Sequence, residues 1–183
     1  MLKNKDILDE KDKRLHSVSK EVTFPMDESD KKAINDMIEY LTNSQIEEIA
    51  EKCDLRPGMG MAAIQLGIPK RYFVVVHEQA IKETFKTYVL INPRIVSTSE
   101  EMIYVEEGEG CLSVNRDVEG IVPRCARVTI EGYDIDGNKV KYRGREELAI
   151  AFQHELDHLN GIMFTDRIDK DDPYKNADIY RAI

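Results

Sequence analysis

In the run Gln153-His154-Glu155-Leu156-Asp157-His158, two histidines are separated by three residues and a glutamate follows the first. On a helix, positions i and i+4 share one face. Both imidazoles can then converge on one metal ion, with Glu155 beside them to take a proton from water on that ion. Coordination lowers the pKa of water from about 15.7 towards roughly 7, which gives hydroxide at neutral pH. This is the short zinc-hydrolase pattern. A pattern this short also arises by chance, and the bland alternative is a solvated helix face that carries two histidines. Two features favour the metal. The chain has only 4 His, and Leu148, Ala149, Phe152, Leu156 and Leu159 supply a separate apolar stripe. The His pair therefore sits at the margin of the buried face, where a site opening into a cleft belongs.

A catalytic ion needs a third protein ligand and an open position for water. Cys111, Cys53, Cys125, His77, His16 and several carboxylates are candidates. Cys111 stands out for its setting, Glu109-Gly110-Cys111-Leu112-Ser113. Glycine there lets the backbone approach an ion or a substrate closely. A lone Cys is more often a small buried residue than a ligand; beside the helix motif, that preference reverses. Two rival readings remain. A zinc endopeptidase takes a third His or Glu downstream, but no His follows His158, and Asp166, Asp169, Asp171 and Asp172 are the nearby carboxylates. A structural metal module would be closed by four protein ligands and would not need Glu155.

These residues must be held by something. Residues 1–26 read as an irregular arm. Ser29 or Asp30 is placed to cap a helix running to about Cys53, with Ala33, Ile34, Met37, Ile38 and Leu41 at helical spacing. Pro57-Gly58 ends it, and 58–63 is a loop of small, flexible residues. The β-branched and aromatic runs 72–77 and 88–92 predict strands, with a further short one at 94–97. Another is predicted at 125–135. It turns at Asp136-Gly137-Asn138 and returns over 139–142 as a hairpin. A helix is expected from about Glu146 to Asn160, with Gly161 at its stop. The acidic tail 166–178 reads as solvated. Strands first and a helix late give an α+β fold.

Composition narrows the function classes. At 183 residues the chain suits one domain. No apolar run approaches the roughly 20 residues that span a bilayer. The N-terminal Met1-Leu2-Lys3-Asn4-Lys5-Asp6 has no apolar core of a signal peptide, so a cytoplasmic location is expected. Three cysteines do not make a disulfide framework, and Cys53 and Cys125 read as buried thiols. A net charge of -9 argues against specific nucleic-acid binding.

Three segments together resemble peptide deformylases: Gly58-Met59-Gly60-Met61-Ala62-Ala63-Ile64-Gln65, Glu109-Gly110-Cys111-Leu112-Ser113 and Gln153-His154-Glu155-Leu156-Asp157-His158. Their order and separations are also similar, roughly over 14–169. The stretches 77–106 and 113–117 look like the longer, insert-containing bacterial class. The resemblance implies one catalytic domain over 1–183, with antiparallel and mixed sheets around a central metal-binding helix and an N-terminal helix. It implies Cys111, His154 and His158 as metal ligands, with Fe2+ native and Zn2+, Ni2+ or Co2+ able to replace it. Glu155 would be the general base, and Gln65 and the Leu112 N–H the oxyanion donors. Gly58, Met59, Gly60 and Gly110 would bind substrate, the glycines pairing with it as an added strand. Met59, Met61, Leu112 and Ala151 are candidates to line a methionine pocket, although Met at such positions is just as often core filling. Glu109 would pair with Arg124. Because a metal-bound His usually donates its other N–H, Asp157 and Gln153 are candidates to orient the histidines; the alternative for each is an ordinary polar helix residue.

The implied reaction removes formate from the formyl-methionine of nascent peptides. The implied protein is a monomer with transient ribosome contact and no membrane partner. One departure stands out: Ile64 replaces the family's usual Pro or Thr, which is expected to alter loop packing and not chemistry.

Overall fold

The computed structural model describes residues 2–183. Two helices come first, α1 (Glu28–Ser44) and α2 (Glu47–Cys53). Seven strands follow: β1 (Gly60–Ala62), β2 (Tyr72–Glu78), β3 (Phe85–Thr98), β4 (Met102–Tyr104), β5 (Arg124–Cys125), β6 (Arg127–Tyr133) and β7 (Lys139–Arg145). The chain then forms α3 (Glu146–Leu159) and ends in β8 (Arg181–Ala182). An antiparallel sheet has the order β1-β2-β3-β6-β7. A smaller mixed sheet has the order β5-β4-β8, with β8 parallel to β4. The architecture is α+β, and α3 packs against strands of both sheets.

Side chains alternate across a strand, so β2 serves two cores. Phe73 and Val75 join Tyr88, Leu90, Ile130 and Phe152 on the α3 side. Tyr72, Val74 and Val76 join Ile34, Met37, Tyr40 and Leu41 on the α1 side. This explains why 72–76 is apolar without a break. It also means that α3, which carries the His pair, rests on a sheet buttressed from behind.

The helix expected to run from Ser29 or Asp30 to Cys53 differs at both its start and its middle. It starts after Asp27, because the Asp30 carboxylate is buried and accepts from Lys70 and the Tyr72 hydroxyl instead. It breaks at Gln45–Ile46, where the Gln45 amide donates to Leu41 O and to Val76 O on β2. The strands expected at 88–92 and 94–97 are one strand, β3, with a register shift between Ile91 and Arg94. Asn92 adopts a left-handed φ of 51° there and bonds the Val22 backbone through both side-chain atoms. The 58–63 loop supplies the edge strand β1. The stretch 125–135 divides into β5 and β6 around Ala126, whose N–H donates to Glu101 O. Gly161 follows α3 with φ 73°, in the stop position expected.

The arm and tail are more tightly tied than their sequences suggest. Leu8 N donates to Gln65 O at 2.8 Å, and Glu10 N donates to Ser113 O at 2.7 Å. The tail's side chains are largely exposed, yet Pro173 O accepts from Ile121 N, and Arg181 pairs with Glu101 and Glu146.

Phe152, on the buried face of α3, is fully buried and packs edge-on to Tyr88 at 5.4 Å. Phe152→Ala should destabilise the fold by about 3–5 kcal/mol, measured by urea unfolding. A loss under about 1 kcal/mol would contradict the packing described.

Candidate active site

α3 turns His154 and His158 to one side, and the loop before β5 brings Cys111 to meet them. The candidate ligand atoms of Cys111, His154 and His158 all lie within 4.8 Å of one another. Cys111 Sγ stands 3.3 Å from His158 Nε2. The other candidates lie elsewhere. His16 is exposed, His77 contacts Gln79, Cys125 lies against Met102, and Cys53 packs on the α1-side core. Asp166 accepts from Met163 N, and Asp169 pairs with Lys175.

The donor set suits an ion. One thiol and two imidazoles converge and leave a side open to a cleft, as a catalytic zinc or iron site requires. His158 is 1% exposed; burial, then His154, push its pKa well below the ordinary imidazole value, so its lone pair is free for a metal. At His154, burial opposes charge, but Cys111 and Glu109 outweigh it and hold the pKa well above that value. His158 Nδ1 and Glu155 Oε2 are buried without hydrogen-bond partners among the described residues.

A buried charge network fixes this geometry. Arg124 donates to both oxygens of Glu109 (2.7 and 2.9 Å) and to Asp157 (2.6 Å). Glu109 also lies 2.9 Å from His154 Nδ1. Burial alone would raise the Glu109 carboxyl, but hydrogen bonds from Arg124 and His154 hold its pKa at about 2. The expected Glu109–Arg124 pair is therefore present. The roles expected of Asp157 and Gln153 differ. Glu109, not Asp157, receives His154, because Asp157 is engaged by Arg124 and Arg167. Gln153 instead clasps the N–H and C=O of Cys125, tying α3 to β5.

Glu155 lies beside the Cys–His cluster, 4% exposed, and burial pushes its pKa up to about 7. It lines a cleft of about 340 Å³ together with Gln65, Cys111, Leu112 and His154. Gly58, Met59, Gly60, Gly110 and Ala151 line the same cleft. A Cβ at Gly60 would land on the Glu155 carboxylate, and one at Gly58 would stand 2.8 Å from the Leu112 side chain. Gly110 has nothing within 4 Å of such a Cβ, so there the missing side chain leaves open space. Met61 does not line the cleft; it is fully buried in the α1-side core. Val105 and Ile150 line it in addition, which no local pattern announced. Ile64 is buried in the α3-side core, in keeping with a packing role.

Gln65 lies within a short 3-10 turn, Ala63–Leu66, and its amide orientation is set by Ala62 N, which donates to Oε1 at 2.9 Å. Its Nε2 then donates to Ser113 Oγ at 3.1 Å and points at Cys111 Sγ, 3.6 Å away. Ser113 and Arg56 are the polar neighbours the sequence did not single out. Arg56 reaches three carbonyls of the cysteine loop.

Removing Arg124 would strand two buried carboxylates. Arg124→Met should cost about 3–5 kcal/mol and weaken Zn2+ retention in an equilibrium chelator titration. Stability and Zn2+ affinity both unchanged would refute the network's role.

Comparison with known proteins agrees with the geometry. The family model described as polypeptide deformylase matches residues 4–174. Peptide deformylase 2 of Bacillus anthracis is 47% identical over 178 residues, 97% of this chain and 96% of the relative. A peptide deformylase of Shouchella clausii is 49% identical over 176 residues, 96% of each chain. Among solved structures, a peptide deformylase from Ehrlichia chaffeensis superposes with a TM-score of 0.71 at 31% identity, covering 90% of this chain and 87% of its own. A plant peptide deformylase gives 0.73 at 28% identity, covering 90% and 80%. By motif, fold and full-length similarity, this chain belongs to the polypeptide deformylase family.

Proposed function

We propose that the cleft hydrolyses the N-formyl group from the formyl-methionine that begins newly made polypeptides, releasing formate and a free N-terminus. Family membership gives the reaction. One observation carries its assignment to this site: the buried Glu155, with an unpartnered oxygen and a pKa near 7, stands beside the Cys111–His154–His158 cluster at the cleft.

Cys111, His154 and His158 would hold the ion, with Fe2+ as the resident metal and Zn2+, Ni2+ or Co2+ able to replace it. Such an ion supplies Lewis-acid chemistry, polarising a carbonyl and acidifying water. Glu155 takes the proton from the attacking water and later gives it to the amine as the C–N bond breaks. A pKa near 7 suits both transfers, because either protonation state is accessible at neutral pH. Gln65 Nε2 and the Leu112 N–H donate to the developing oxyanion, each worth about 2.7–4 kcal/mol in comparable enzymes.

The substrate backbone is read by β1. Met59 O accepts from Val76 N, so the ladder's alternation turns the backbone groups of the next residue, Gly60, to the open edge. An extended peptide can pair there, with Gly58 and Gly110 giving it room. Met59, Leu112, Ile150 and Ala151 form the apolar wall for the methionine side chain. The acidic chain acts as a cytoplasmic monomer on nascent peptides, with at most transient ribosome contact. It has no nucleic-acid or membrane partner, and residues 1–183 form one catalytic domain. No helix among the described residues is long and apolar enough to cross a membrane.

The metal-loaded protein should release formate from formyl-Met-Ala and no acetate from acetyl-Met-Ala. Glu155→Gln should keep its metal and lose activity by at least about a hundredfold, in line with general-base contributions. Cys111→Ser should lose both metal and activity. Full activity in Glu155→Gln, or retained metal and activity in Cys111→Ser, would overturn the assignment.

A further inference from the structure

Arg56 is the one Arg or Lys lining the cleft among the described residues, yet no carboxylate there pairs with it. Its guanidinium is directed at backbone instead. Nη2 donates to Cys111 O at 3.2 Å and to Val114 O at 2.8 Å, while Nη1 donates to Leu112 O at 3.0 Å and to Asn115 Oδ1. One rigid fork therefore holds three carbonyls of the loop that contains Cys111.

The planar trans peptide gives this a consequence. In each peptide unit the C=O and the next residue's N–H point in opposite directions. Drawing the Leu112 carbonyl towards Arg56 turns the Ser113 N–H the other way, and that N–H meets Cys111 Sγ at 3.4 Å. Drawing the Cys111 carbonyl towards Arg56 likewise turns the Leu112 N–H away from the guanidinium. Positive charge at the carbonyl ends also polarises both amides and strengthens their N–H groups as donors.

Arg56 is itself fixed at its base. Its N–H donates to Asn4 Oδ1 at 3.2 Å, and its carbonyl accepts from the buried Tyr40 hydroxyl at 3.2 Å. That hydroxyl is also 2.7 Å from Asn4 Oδ1. The N-terminal arm and α1 thereby reach the cysteine loop through this side chain.

We propose that Arg56 is a positioning residue that aims the Leu112 and Ser113 N–H groups by holding the Cys111 and Leu112 carbonyls. The proposal rests on the reading of Leu112 as an oxyanion donor and Cys111 as a metal ligand. It acts on kcat and not on substrate affinity, because its hydrogen bonds are made within the protein. Lysine cannot replace it, having no planar fork.

The test compares wild type, Arg56→Ala and Arg56→Lys, all Zn2+-loaded, on formyl-Met-Ala-Ser. Each variant should lose about tenfold to a hundredfold in kcat, the scale of a misplaced or lost oxyanion donor, with KM within about twofold of wild type. Millimolar guanidinium should restore part of the Arg56→Ala rate, and ammonium should not. Independently of turnover, amide hydrogen exchange should rise over 111–115 in both variants and stay unchanged in α3. A loss confined to KM would show that Arg56 grips substrate, and would overturn the proposal. So would kcat within twofold of wild type in Arg56→Lys, or unchanged exchange over 111–115. Should Arg56→Ala fail to fold, Arg56→Lys carries the same outcomes. An inactive wild type would instead count against the deformylase reading, which the exchange measurement leaves separate.

Discussion

Arg124 is 2% exposed and stands between Glu109 and Asp157, which are 3% and 7% exposed. Three ionised groups this deep must remain paired, because stripping water from a charge costs several kcal/mol that only close partners return. Their pairing is therefore a geometric constraint. Glu109 lies two residues before Cys111, Asp157 lies one before His158, and Arg124 sits on β5. A single guanidinium thus registers the loop carrying one candidate ligand against the helix carrying the other two. Glu109 extends the constraint by fixing the ring of His154. Gln153 repeats it by clasping Cys125 on the same strand.

The rest of the fold can be understood as support for that registration. β2 is buried on both faces, so α3 rests on a sheet that α1 backs from the other side. The cleft exists because side chains are absent where the chain comes closest to Glu155 and Leu112. Gly60 leaves room for the Glu155 carboxylate, and Gly58 leaves room for Leu112. Residues 2–10 carry no periodic pattern, yet Leu8 and Glu10 bond through their backbone to Gln65 and to Ser113, the residue after Leu112. An irregular segment earns its place here through hydrogen bonds and not through regular structure.

The sequence made some of this legible, and physical reasons separate what it did from what it did not. α3 could be read because its apolar stripe, its His pair and its terminal glycine are all local signals. The hairpin of β6 and β7 could be read because Asp-Gly-Asn is a local turn signal. The site's other half depends on contacts between distant residues. Nothing near Arg56 announces the carbonyls of 111, 112 and 114, and nothing near Asn4 announces Tyr40. Ser113 reads as an ordinary hydroxyl until Gln65 is folded against it. β4, β5 and β8 are two or three residues long, too short for alternation to register. Asp30 misled as a cap because its partners, Lys70 and Tyr72, lie some forty residues on. The resemblance to deformylases supplied what local pattern could not, namely that Cys111 and Gln65 belong with α3.

The central claim is that one thiolate and two imidazoles, drawn from a loop and a helix, hold a single ion and leave it open to the cleft. X-ray absorption at the metal edge of the Zn2+-loaded protein tests this directly. The account predicts one sulfur and two nitrogen scatterers from protein, completed by a light scatterer from solvent, with the sulfur lost in Cys111→Ser. A shell of nitrogen and oxygen alone, or one with two sulfurs, would contradict it.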